Sequence, residues 1–146
     1  MGQEKLTIAI GCDHAGYDYR AAIIEMLSDD YTVLDFGVKT SESVDYPDIA
    51  HQVCKAVEAG EASLAILICG TGNGVAMTAN KYPSLRAGIC WIKEIAELIR
   101  QHNNANVLCI PARYTAIEQA KEIVNTYLNT PFEGGRHERR INKICI

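Results

Sequence analysis

Cys69 stands where the apolar run Leu64-Ala65-Ile66-Leu67-Ile68 meets the glycine-rich loop Gly70-Thr71-Gly72-Asn73-Gly74. Glycines at that spacing let backbone N–H groups converge on an anion, and a helix starting after the loop adds its positive end. The same surroundings favour the thiolate form of a cysteine. A core cysteine beside a turn is the plainer reading, but the loop makes a reactive thiol the better one. The glycines match neither the Walker sequence nor G-x-G-x-x-G, which argues against a nucleotide enzyme.

Three further groups carry ionisable side chains. Asp13-His14 follows the first apolar run; the pair suits sugar hydroxyls or proton transfer, and Asp13 equally suits a cap for a helix opening near Gly16. His102, in Arg100-Gln101-His102-Asn103-Asn104, ends a helical stretch. Imidazole serves proton transfer near neutral pH, yet a histidine at a helix C-terminus is also expected on electrostatic grounds. On the residues alone the electrostatic reading prevails. Arg136 and Arg140 follow Gly134-Gly135 and, on a helix, lie one turn apart. Two such guanidinium forks suit a phosphate; a solvated basic tail explains them as well. His51 has no obvious partner and reads as structural.

The elements that must position these groups show in the hydrophobic period. Leu6 to Ile10 reads as a buried strand, and Ala21, Ile24 and Leu27 recur at helical spacing after it. Tyr31 to Phe36 is strand-like. Asp45-Tyr46-Pro47 opens a helix that Gly60 stops. Leu64 to Ile68 is apolar enough for a central strand covered on both faces, and a short helix follows the glycine loop as far as Asn80. Strands at Arg86–Trp91 and Asn106–Ile110 are each followed by a helix, Lys93–His102 and Thr115–Leu128. This alternation predicts an α/β, three-layer Rossmann-like fold: a five-stranded parallel sheet with helices on both faces. Ligands of such sheets bind beyond the carboxyl ends of the strands. Asp13-His14, the Cys69 loop and Arg113 all fall there. The chain reads as a single domain over 1–146, with a basic tail from 130 expected to leave the compact body.

Composition narrows the class. The 146 residues are 48% hydrophobic and 22% charged, and 14 basic against 18 acidic residues leave a formal charge of −4. That is no nucleic-acid binder's balance. The six cysteines form no C-x-x-C pair and no zinc-site spacing, so no metal is expected. No apolar run reaches membrane length, the start lacks a signal-peptide h-region, and Leu6 breaks a myristoylation signal at Gly2. A reduced, cytoplasmic protein fits these features.

Six segments in register resemble the type B ribose-5-phosphate isomerases, in the family shared with galactose-6-phosphate isomerase. They are Gly11-Cys12-Asp13-His14-Ala15-Gly16, Asp45-Tyr46-Pro47-Asp48, Ile68 to Gly74, Ala79-Asn80-Lys81, Arg100 to Asn103, and Gly134-Gly135-Arg136-His137-x-x-Arg140. The resemblance implies a cofactor-free interconversion of ribose 5-phosphate and ribulose 5-phosphate through an enediolate, in the non-oxidative pentose phosphate pathway. It makes Cys69 the base that moves a proton between C1 and C2, with Thr71 assisting at a hydroxyl. It gives ring opening to His102 and places Asp13 near the sugar. Loop amides from Gly70 through Gly72 and Asn73 to Gly74 would hold the enediolate. Tyr46 and Asn103 would contact substrate, and His14, Arg113, Arg136 and Arg140 would bind the phosphate. The family builds its sites between subunits, so a homodimer or dimer of dimers is implied, with the basic tail contacting a partner.

Two positions depart from the family pattern. Asn73 is often apolar where the cysteine is present, and members with asparagine there sometimes use a nearby glutamate as base instead. Val75-Ala76 offers no carboxylate here, so the cysteine keeps the role. Around Arg113 the chain reads Ile110-Pro111-Ala112-Arg113-Tyr114, where a glycine-rich turn is more usual. The alternatives are an isomerase of a six-carbon sugar phosphate, allose 6-phosphate or galactose 6-phosphate, a non-catalytic sugar-phosphate sensor, and a thiol hydrolase. Retention of Cys69, Asp13 and His102 together argues against a sensor. The His102 and Arg136/Arg140 set favours the pentose.

Overall fold

In the computed structural model, which describes residues 4–38 and 42–146, five parallel strands form one sheet in the order β2-β1-β3-β5-β4. The three inner strands are β1 (Thr7–Cys12), β3 (Leu64–Cys69) and β5 (Val107–Pro111). Almost every residue in them is buried. That is why they read as unbroken apolar runs rather than as alternation. The edge strands β2 (Thr32–Asp35) and β4 (Ala87–Ile89) are shorter and half-buried.

Helices α1 (Tyr17–Leu27), α4 (Lys93–Gln101) and α5 (Ile117–Asn129) cover one face. There Ile8, Ile10, Ile66, Ile68, Leu108 and Ile110 of the sheet meet Ile23, Leu27, Ala96, Ile123 and Tyr127. Helices α2 (Tyr46–Glu58) and α3 (Asn73–Ala79) cover the other, against Ala9, Ala65, Leu67, Val107 and Cys109. Two separate cores flank the sheet, as the sequence period predicts.

The register sets the level of the carboxyl edge. Cys12 lies opposite Ile68, and Cys69 opposite Pro111. The chain leaves β1 toward β2 on one side and β3 toward β4 on the other, so the strand order reverses between β1 and β3. A crevice is expected at that point.

The tail departs from expectation. Its residues form α6 (Arg136–Ile141), which docks on the body: Glu133 donates its N–H to the Gln101 carbonyl at 3.1 Å, and His137 is buried. Gly134 and Gly135, at φ +70° and +59°, make the reversal that brings α6 back.

Candidate active site

The loop after β3 gathers around the Cys69 sulphur. Gly72 takes φ +76°, a left-handed conformation that few residues but glycine adopt. In that conformation its N–H points back and donates to Cys69 Sγ at 3.2 Å. Asn73 donates its N–H to Thr71 Oγ1, also at 3.2 Å, which orients the exposed Thr71 hydroxyl. The Tyr46 ring lies against Gly74, where an added Cβ would come within 2.4 Å of its Cζ.

Two neighbouring strands close on this loop. From β1, Asp13 donates its N–H to the Ile68 carbonyl at 3.1 Å. From the end of β5, Arg113 donates its N–H to the Gly70 carbonyl at 3.1 Å. Its guanidinium lies over Gly70, with Nε 3.1 Å from where a Cβ would stand. The proline-bearing turn around Arg113 therefore delivers the arginine to the loop without the usual glycines. Asp13 does act as a cap, accepting from the Ala15 N–H at 2.9 Å, and it is buried beside the loop as well. Both readings of Asp13 are thus compatible in one geometry. His14 follows, with its Nδ1 buried and lacking a partner among the described residues. A buried ring nitrogen in that state is ready for a ligand's hydrogen bond.

The other buried thiols are different in kind. Burial pushes Cys12 and Cys54 up to about 11, Cys90 to about 12 and Cys109 well above the ordinary thiol value. They are inert hydrophobes at neutral pH. The Gly72 N–H is aimed at the Cys69 sulphur; at Cys12 the Val38 backbone also reaches the thiol, but burial outweighs it. His51 pairs with the Tyr82 hydroxyl at 2.6 Å, a structural contact as the sequence suggests.

His102, Asn103, Arg136 and Arg140 are not brought to this loop. Helix α4 starts at the carboxyl edge after β4 and runs back against the strands, so His102 at its end lies at the amino edge, where β5 begins. The five residues of β5 set the two edges about 13 Å apart at ~3.3 Å per residue. Proton transfer needs contact of about 3 Å. His102 therefore cannot serve the Cys69 of its own chain. Asn103 is engaged there through its carbonyl, which accepts from Arg86 Nε at 3.0 Å.

At the amino edge the His102 ring stacks on His137, centroids 4.2 Å apart and planes 11° from parallel. Glu133 Oε2 lies 3.5 Å from His137 Nε2. Donor atoms of these three residues fall within 4.8 Å of one another. Parallel rings, however, direct their in-plane lone pairs along parallel planes, so they do not converge on one ion. Sequence reasoning missed Glu133 and His137 as partners of His102. The available signal was the double glycine between them.

The family model described as Ribose/Galactose Isomerase matches residues 8–144. Ribose-5-phosphate isomerase B of Escherichia coli is 44% identical over 138 residues, covering 94% of this chain and 93% of that protein. A Clostridium thermocellum ribose-5-phosphate isomerase B structure superposes with a TM-score of 0.93 at 44% identity, covering 95% of both chains. The Mycoplasma genitalium ribose-5-phosphate isomerase B with bound ribulose-5-phosphate superposes at 0.92 with 41% identity, covering 97% of this chain and 95% of that one. The chain belongs to the ribose/galactose isomerase family.

Proposed function

We propose that this protein interconverts ribose 5-phosphate and ribulose 5-phosphate, with Cys69 as the base. The observation that carries the reading is the Gly72 N–H aimed at Cys69 Sγ, on a loop bounded by Asp13 and Arg113. With the aldose open, the thiolate takes the C2 proton and the electron pair moves to the carbonyl, giving an enediolate. Amides of the Gly70–Gly74 loop stabilise its negative charge. Thr71 serves a hydroxyl, and Asp13 with Tyr46 lines the sugar. A proton passes from the C2 hydroxyl to O1, and returning the carbon-bound proton to C1 then yields the ketose with its carbonyl at C2. The sulphur forms no bond to carbon.

Ring opening by His102, and phosphate binding by Arg136 and Arg140 with His14 and Arg113, require groups from both sheet edges. A second copy of the chain, presenting its amino edge and α6 to this carboxyl edge, supplies them, with Asn103 beside the substrate. The site is then shared in a homodimer or in a dimer of dimers. The relatives named as ribose-5-phosphate isomerase B, and the neighbour holding ribulose-5-phosphate, support the pentose over a six-carbon sugar. Six free thiols support a reducing, cytoplasmic setting for this step of the pentose phosphate pathway, and no helix among the described residues is long and apolar enough to cross a membrane.

The purified protein should equilibrate the two pentose phosphates in the presence of a chelator. Cys69→Ala should abolish turnover while leaving the fold and inorganic phosphate binding intact. Full activity in that variant removes Cys69 as base; no turnover by the unaltered protein removes the reading itself.

A further inference from the structure

We infer that His137, held by Glu133, is a positioning residue that sets the plane of the His102 imidazole for ring opening. The inference rests on the isomerase reading above and adds two residues to it. His102 caps the C-terminal end of α4 and is partly exposed, where an imidazole on its own samples several rotamers. General acid–base transfer demands one orientation, within hydrogen-bond reach of the ring oxygen. The stack at 4.2 Å and 11° supplies a flat backing for that ring.

The backing is itself built. His137 is the one buried residue of α6, a short helix whose arginines and Glu138 face solvent. Two glycines at positive φ fold the chain so that Glu133 and His137 return to the same side. The Glu133 N–H bond to the Gln101 carbonyl pins this strap one residue before His102. The carboxylate, 3.5 Å from His137 Nε2, then limits rotation of the buried ring. Burial, His102 and Arg136 all lower the His137 pKa, while Glu133 opposes them. His137 is thus a neutral ring near neutral pH.

Ring opening can be separated from the Cys69 chemistry. Exchange of the C1 hydrogen of ribulose 5-phosphate in deuterium oxide, followed by NMR, needs the base but no ring. In His137→Ala, ribose 5-phosphate turnover should fall about 10- to 100-fold, part of the ~10²–10⁴ that general acid–base catalysis contributes. C1 exchange should stay within about twofold. His137→Phe, which keeps a flat ring, should recover most of the turnover, and Glu133→Gln should show a smaller loss of the Ala type. Unchanged turnover in His137→Ala overturns the inference. So does an equal loss of exchange, which marks a general structural role, and so does a Phe variant no better than Ala. If the unaltered protein neither turns over the pentose phosphates nor exchanges C1, the isomerase reading fails instead.

Discussion

Gly72→Ala tests whether one backbone amide makes Cys69 reactive. At φ +76° a methyl group is strained whatever room it has, and this one would also stand 3.2 Å from Ile89 Cγ2. Left-handed backbone costs about 1–2 kcal/mol for a residue with a Cβ. For a chain of this size that is a fall in Tm of about 2–8 °C, far from unfolding at 25 °C. The easiest relief is rotation of the 71–72 peptide, which carries the N–H away from Cys69 Sγ. A hydrogen bond to a charged group contributes about 1.5–3 kcal/mol, so losing it should lower kcat about 10- to 100-fold. Gly60→Ala is the matched control: φ is +78°, and nothing lies within 4 Å of an added Cβ. It should show the same backbone cost with kcat unchanged. Differential scanning calorimetry and steady-state turnover on both variants decide the matter. Equal kcat in Gly72→Ala and Gly60→Ala would refute the role given to the amide.

Subunit sharing predicts complementation: inactive Cys69→Ala and His102→Asn chains, mixed and reassembled, should regain about one quarter of full activity. Half of random dimers are mixed, each with one whole site of two; no recovery would remove the shared site. Tyr127→Phe should cost only about 0.5–1 kcal/mol in urea unfolding. The Ala105 carbonyl that loses the Tyr127 hydroxyl at 3.2 Å still accepts from Arg100 Nη1 at 2.7 Å, and the Arg100–ring contact survives. A loss above about 3 kcal/mol would contradict that redundancy. The lowered pKa of His137, set by burial, His102 and Arg136, with Glu133 opposing and Arg140 adding, gives a pH signature. As pH falls below about 6.5 the unfolded chain takes up the proton first, so the contribution present above that pH is lost toward the lower folded value. Urea midpoints at pH 8 and 5.5 should diverge more in the unaltered protein than in His137→Phe. Parallel declines would assign the acid sensitivity elsewhere.

Legibility of the fold followed burial. The inner strands β1, β3 and β5 are apolar end to end because both faces are covered, so Leu64 to Ile68 could be read as a central strand without any partner in view. The edge strand β4 is three residues rather than the six of Arg86–Trp91. An edge has one neighbour to bond, and side-chain type does not report where that pairing stops. Asp13 shows a limit of another sort, since an aspartate in a strand-to-helix turn caps in either reading; only the Asp13 N–H bond to the Ile68 carbonyl sets the residue beside the end of β3.

The sequence by itself determined the glycine loop after Cys69, the parallel α/β architecture and the carboxyl-edge placement of Asp13, His14, Cys69 and Arg113. These are local matters: a strand's end, the turn after it and the glycines in that turn are adjacent in the chain. Only the tertiary structure decided that His102, Asn103, Arg136 and Arg140 lie on the opposite edge, and that Glu133 and His137 stand behind His102. Those outcomes depend on the direction of α4 against the sheet and on the reversal at Gly134-Gly135. Contacts made through such reversals join residues about thirty positions apart, and no periodicity along the chain records them.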